Sequence, residues 1–98
     1  MTGDARALEL YQLAQSLAEA KGRLVTVGLM TYKEYRQEPL SIRYFPSTGH
    51  LEVWHGRKVL NVNREYGQLR VRHYAPGGWE KQLEEAARKT GERRKMKR

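Results

Sequence analysis

Apolar positions along the chain follow a helical rhythm first and a strand rhythm afterwards. From residue 4 to 21, Leu10, Leu13, Ala14, Leu17 and Ala20 recur at helical spacing, and Leu8 and Tyr11 widen the stripe. The segment has no β-branched residue, so intrinsic propensity agrees with the pattern. Asp4 can cap the first turn, and Gly22 can close the last one in the left-handed conformation.

From Leu24 the period shortens to two. The runs Leu24–Tyr32, Leu40–Phe45, His50–His55, Lys58–Asn63 and Gln68–Tyr74 predict strands. Lys33–Pro39 is polar and charged and predicts a loop or an irregular edge. Pro46-Ser47-Thr48-Gly49, Gly56-Arg57 and Arg64-Glu65-Tyr66-Gly67 are turn segments, and Gly67 can take positive φ. Ala75-Pro76-Gly77-Gly78 breaks the sheet. A second helix is predicted over Trp79–Thr90, with Trp79, Leu83 and Ala86 or Ala87 on one face and Gly91 as its stop. The fold expected is α+β: an N-terminal helix, an antiparallel sheet of about five strands, a C-terminal helix and a basic tail. The sheet is either open and twisted or curled toward a barrel. Residues 1–91 form a single domain, and residues 92–98 form a basic flexible tail with Met96 as its one apolar member.

Turn lengths set the strand register, and register sorts side chains onto two faces. With Pro46–Gly49 as a four-residue loop, Phe45 faces His50, Arg43 faces Glu52 and Ser41 faces Trp54. With Gly56-Arg57 as a two-residue turn, Trp54 faces Val59; with Arg64–Gly67 as a four-residue loop, Asn63 faces Gln68 and Asn61 faces Arg70. One face then carries Leu40, Ile42, Tyr44, Leu51, Val53, Leu60, Val62, Leu69 and Val71, a core face for the first helix. The other mixes Phe45, Trp54 and Tyr74 with Arg43, Arg70 and Arg72, beside Asn61, Asn63, His50 and Glu52. Rings of this kind stack on unpaired bases, guanidinium groups hold phosphates, and amides reach base edges.

Composition strengthens that picture. The 98 residues carry a formal net charge of +8, which favours contact with polyanions. Arg93, Arg94, Lys95, Lys97 and Arg98 form the densest basic block. There is no cysteine, which excludes disulfides and thiolate chemistry. No apolar run is long enough to cross a membrane as a helix, and the N-terminus lacks the basic and apolar blocks of a signal peptide, so a cytoplasmic location is expected.

The function expected is non-catalytic binding of nucleic acid, single-stranded DNA or RNA. The residues expected to carry it are Arg43, Phe45, Trp54, Asn61, Arg70, Arg72 and Tyr74 on the sheet and Arg93, Arg94, Lys95, Lys97 and Arg98 in the tail. Two exposed apolar or aromatic surfaces on so short a chain also predict a homodimer. No cofactor and no metal is expected, because His50, His55 and His73 are scattered without neighbouring carboxylates at ligand spacing.

Three other readings use the same residues. As a protein-interaction module, such as a phage, plasmid or host regulatory factor, the chain would use Trp54 and Tyr74 as anchors. As a metal-independent ribonuclease it would use His73 with Lys58, Arg70, Arg72 and Tyr74. In the plainest reading, Trp54 packs under Trp79 of the second helix and the aromatics are core. Gly77-Gly78 before a helix offers amides to an anion but lacks the ending of a P-loop. In element order alone, the four strands and a helix resemble small coactivator-type single-strand binders, and the helix and five strands resemble Sm-like RNA binders. Neither resemblance carries a residue over.

Overall fold

The computed structural model describes the backbone of residues 2–96 and the side chains of residues 4–90. Helix α1 (Thr2–Lys21) is followed by strands β1 (Arg23–Val27), β2 (Met30–Gln37), β3 (Leu40–Phe45), β4 (His50–His55), β5 (Lys58–Glu65) and β6 (Gln68–Tyr74), then helix α2 (Trp79–Met96). The strands form one antiparallel sheet in sequence order, β1 to β6. β1 and β6 do not pair with each other, so the sheet is open, and the barrel alternative is set aside.

The expected five strands are six. The run Leu24–Tyr32 breaks at Gly28, which takes a φ of 62° and turns the chain, and Lys33–Gln37 is strand, not loop. The charges there are built into the sheet. Glu34 is buried on β2 and held by Arg23 of β1 at 3.4 Å and by Arg36 at 2.9 Å.

The core lies between α1 and one face of the sheet. Ala7, Leu10, Tyr11, Ala14, Leu17 and Ala18 of α1 are buried against Leu40, Ile42, Tyr44, Leu51, Val53, Leu60 and Val62. Leu8, Leu13, Leu69 and Val71 pack around this cluster, whereas Ala20, expected in the stripe, is exposed. Polar atoms at the core's edge find partners. The Tyr11 hydroxyl donates to the Gly49 carbonyl at 2.9 Å, and the Gln15 amide donates to the Tyr44 hydroxyl at 2.9 Å.

Helix α2 packs beside α1 through buried Trp79, Leu83 and Ala86. The Trp79 indole N–H donates to the Ala75 carbonyl at 2.8 Å, and Arg6 joins the helices through Glu84 at 2.6 Å. Gly91 does not end α2, whose backbone runs on to Met96. The side chains of Arg93, Arg94 and Lys95, and the whole of Lys97 and Arg98, lie outside the described residues.

Two further sequence expectations are corrected. Asp4 lies inside the first turn of α1, which already begins at Thr2, and so is not its cap. Gly22 is not left-handed; it is required for space. Its N–H donates to the Ala18 carbonyl at 2.8 Å, and a Cβ there would sit 2.4 Å from that same oxygen. Gly22→Ala must push α1 away from β1. The expected cost is about 1–3 kcal/mol, read as a lower midpoint in urea denaturation followed by circular dichroism.

Candidate nucleic-acid interface

The face of the sheet opposite α1 is covered by neither helix. β3 and β4 hold the register read from the turn: Phe45 faces His50, Arg43 faces Glu52 and Ser41 faces Trp54. Gly49 closes the loop at a φ of 82°, with its N–H on the Phe45 carbonyl at 2.8 Å. Tyr32 of β2 reaches this open face beside Phe45, with ring centroids 4.9 Å apart, and Phe45 in turn lies 5.3 Å from His50. A row of rings therefore crosses β2, β3 and β4.

Arg43 is the centre of the face. Its ladder neighbours are Glu34 on one side and Glu52 on the other, yet it forms no ion pair among the described residues. The guanidinium lies 5.9 Å from the Tyr32 ring centroid and 5.8 Å from that of Trp54. Its Nε is buried without a hydrogen-bond partner. Lys58 approaches the same Trp54 ring at 5.5 Å. Glu34 and Glu52 form their ion pairs with other groups, which leaves Arg43 between two rings with no ion pair among the described residues.

Glu52 organises the neighbouring part. It accepts from the Trp54 indole N–H at 3.0 Å and from His50 Nε2 at 2.9 Å, and Lys58 Nζ lies 3.9 Å away. The other ring nitrogen of His50 contacts Asn63 Oδ1. Partial burial works against the Glu52 carboxylate. The hydrogen bonds from His50 and Trp54 and the charge of Lys58 together outweigh that cost and hold its carboxyl below the usual carboxylate range. The Trp54 ring is thus clamped at its N–H while its body stays half-exposed.

The rest of the expected set divides. Asn61 lies on the open face opposite Glu52, its Oδ1 buried and unpartnered. Arg70 and Arg72 reach Glu65 at 3.8 and 2.8 Å and form a basic rim along β6. Tyr74 is not on this face. β5 and β6 turn on Tyr66-Gly67, both at positive φ, so Asn63 faces Arg70 rather than Gln68. The register then shifts between Val62 and Asn61, which brings His73 opposite Asn61 and Tyr74 opposite Leu60. Tyr74 therefore packs against the core, edge-on to Trp79 at 6.0 Å, and donates to Glu80 at 2.8 Å. Burial first, and the Glu80 carboxylate second, push its phenol above the ordinary value. A second shift, at Val53/Trp54, places Trp54 opposite Lys58 instead of Val59.

These positions bear on the other readings. Trp54 and Trp79 are on opposite sides of the sheet, so Trp54 does not pack under α2. Of the residues in the ribonuclease reading, Tyr74 points away from His73, whose Nε2 donates to the Lys58 carbonyl at 3.1 Å. At the start of α2 the Gly77 N–H donates to Glu80 at 3.2 Å, so the helix supplies its own carboxylate. Among the described residues no three metal-ligating side chains gather, and no helix is long and apolar enough to cross a membrane.

Sequence reasoning missed Tyr32 and the hollow beside it. Leu29, Met30, Phe45, Pro46, Thr48 and His50 line an open, mostly apolar hollow of about 450 Å³ at the end of the ring row. The signal was present in the sequence: had β2 been extended through residue 37, alternation would have placed Tyr32, Glu34 and Arg36 together. No family model, no curated protein and no solved structure matches the chain. The functional reading therefore rests on the site alone.

Proposed function

We propose that the chain is a non-catalytic nucleic-acid-binding protein that takes single-stranded DNA or RNA on the open face of its sheet. The observation that carries this reading is Arg43, a guanidinium with no ion pair among the described residues, held between the Tyr32 and Trp54 rings on an uncovered surface. A single strand offers both things this arrangement lacks. Its phosphates supply the missing anion, and its unpaired bases supply flat partners for Tyr32, Phe45 and Trp54. Asn61 and Asn63 sit where base edges would pass, and the Arg70–Arg72 rim tracks the backbone.

In this reading the basic end of the chain works differently from the face. Arg93, Arg94, Lys95, Lys97 and Arg98 add charge in a stretch of sequence that has no aromatic residue. The test is fluorescence anisotropy with matched single- and double-stranded oligonucleotides across a salt series. The intact chain should favour the single strand, and its affinity should fall log-linearly with salt. Truncation after Gly91 should weaken binding to every oligonucleotide by a similar factor and make the salt slope shallower. An intact chain that binds neither oligonucleotide at low salt would overturn the proposal.

A further inference from the structure

The two edges of the open sheet are built differently. β6 carries Arg70, Arg72 and His73 and a register shift, features that discourage pairing with another strand. β1 is far less protected. Its sequence is Arg-Leu-Val-Thr-Val, with one charge at its start, no proline and an unbroken register against β2. The hairpin it belongs to also carries the large exposed apolar side chains Leu24, Val27, Leu29 and Met30. Leu24 and Val27 are each 62% exposed, far from what an ordinary sheet position leaves in water.

The backbone of β1 is complementary to itself. Val27 and Met30 flank a two-residue turn, so they form a hydrogen-bonded pair, and alternation makes Val25–Tyr32 and Arg23–Glu34 the next ones. The N–H and C=O groups of Leu24 and Thr26 must then point away from β2, along the free edge. A two-fold axis through Val25 sets Leu24 opposite Thr26 of a second copy, and Thr26 opposite its Leu24. Each pair exchanges both hydrogen bonds, so every outward group of the two residues is satisfied. Arg23 falls opposite Val27 of the second copy, which keeps the two arginines apart and lays an alkyl stem on an exposed valine. Gly22 falls opposite Gly28, so no side chain obstructs either end of the ladder.

We infer that the chain forms a two-fold homodimer by antiparallel pairing of β1 with β1 of a second copy. A short ladder buries less than the roughly 1,200–2,000 Å² of a standard stable interface, so Leu24, Val27 and Leu29 must contribute, and the dimer is reversible. The pairing leaves both α1 helices on one side. It joins the two open faces into one surface of twice the width, but it does not depend on what that face binds.

The chain has no cysteine, so a single introduced one reports cleanly. Val25 sits on the two-fold axis in a non-hydrogen-bonded position, where the Cα atoms approach to roughly 4.5 Å, within disulfide range. Val25→Cys should therefore convert to a covalent dimer under mild oxidation, while Leu24→Cys and Thr26→Cys, offset from their own copies, should not. Thr26→Pro removes an N–H that β2 does not use. It should keep the circular dichroism spectrum and shift the sedimenting species from dimer to monomer. A parent chain that sediments as a monomer at high concentration overturns the inference. So does a dimer that Val25→Cys fails to trap, which would place the contact elsewhere.

Discussion

Trp54→Ala should weaken single-strand binding by roughly five- to 150-fold, the equivalent of about 1–3 kcal/mol for one stacked base. The indole is half-buried, fixed at its N–H by Glu52, and flanked by Arg43 and Lys58. Its removal takes away a pre-positioned ring and leaves every formal charge in place. The loss on duplex should be much smaller, because paired bases hide their faces. The salt slope should hardly move, since the same cations still meet phosphates. Anisotropy on matched single and double strands reads both numbers, with circular dichroism as the check that the sheet persists. A folded variant that binds single strands as the parent does would show that the open face is not the binding surface. Truncation after Gly91 should give the opposite pattern, so the two variants separate stacking from charge.

The face holding Trp54 was largely legible in the sequence, and the reason is local. Pro46–Gly49 fixes the β3–β4 register by turn chemistry, so Arg43, Phe45, Glu52 and Trp54 could be placed together without a structure. Between β5 and β6 the sequence misleads. Tyr66 adopts a φ of 54°, a conformation uncommon for a tyrosine, so the turn is two residues long where four were expected. That error slides the register by two and therefore keeps each side chain on its face. The register shifts matter more. The one between β5 and β6 carries Tyr74 to the core side and His73 to the open side, and nothing in Arg70-Val71-Arg72-His73-Tyr74 announces it.

β2 was hidden for a different reason. Periodicity detects strands through apolar alternation, but Tyr32-Lys33-Glu34-Tyr35-Arg36-Gln37 alternates between aromatic, charged and amide groups. Its buried Glu34 is paired with Arg23 across the β1–β2 hairpin and with Arg36 two residues along β2, and the cross-strand pairing exists only once the sheet has formed. The omission of β2 also concealed Tyr32, and with it the second ring beside Arg43. It further concealed the β1 edge, because a single run from Leu24 to Tyr32 has no hairpin and no exposed turn at Leu29.

The β4–β5 register shift has a measurable consequence for the core. Simple alternation allows only one of Val59 and Leu60 to face α1, yet both are buried, at 5% and 0% exposure. The shift at Val53/Trp54 leaves Val59 as an extra residue on β5, between Lys58 opposite Trp54 and Leu60 opposite Val53. The Val59 carbonyl also accepts from the Ala75 N–H at 2.9 Å, which ties the chain leading to α2 onto β5. Leu60→Ala should cost about 2–5 kcal/mol, and Val59→Ala about 1.5–3 kcal/mol, from lost transfer energy plus the cavity left behind. Either is a large share of the about 5–15 kcal/mol that holds a domain folded, and small domains sit at the lower end. Lys81→Ala, on the exposed side of α2, should stay within about 0.5 kcal/mol of the parent. Urea denaturation by circular dichroism gives all three values. A loss at Leu60 with none at Val59 would mean that β5 alternates without a shift. Trp54 would then face Val59, and Lys58 would leave the ring it now flanks. Comparable losses at both positions would instead support the geometry that sets Lys58 and Arg43 around Trp54 on the open face.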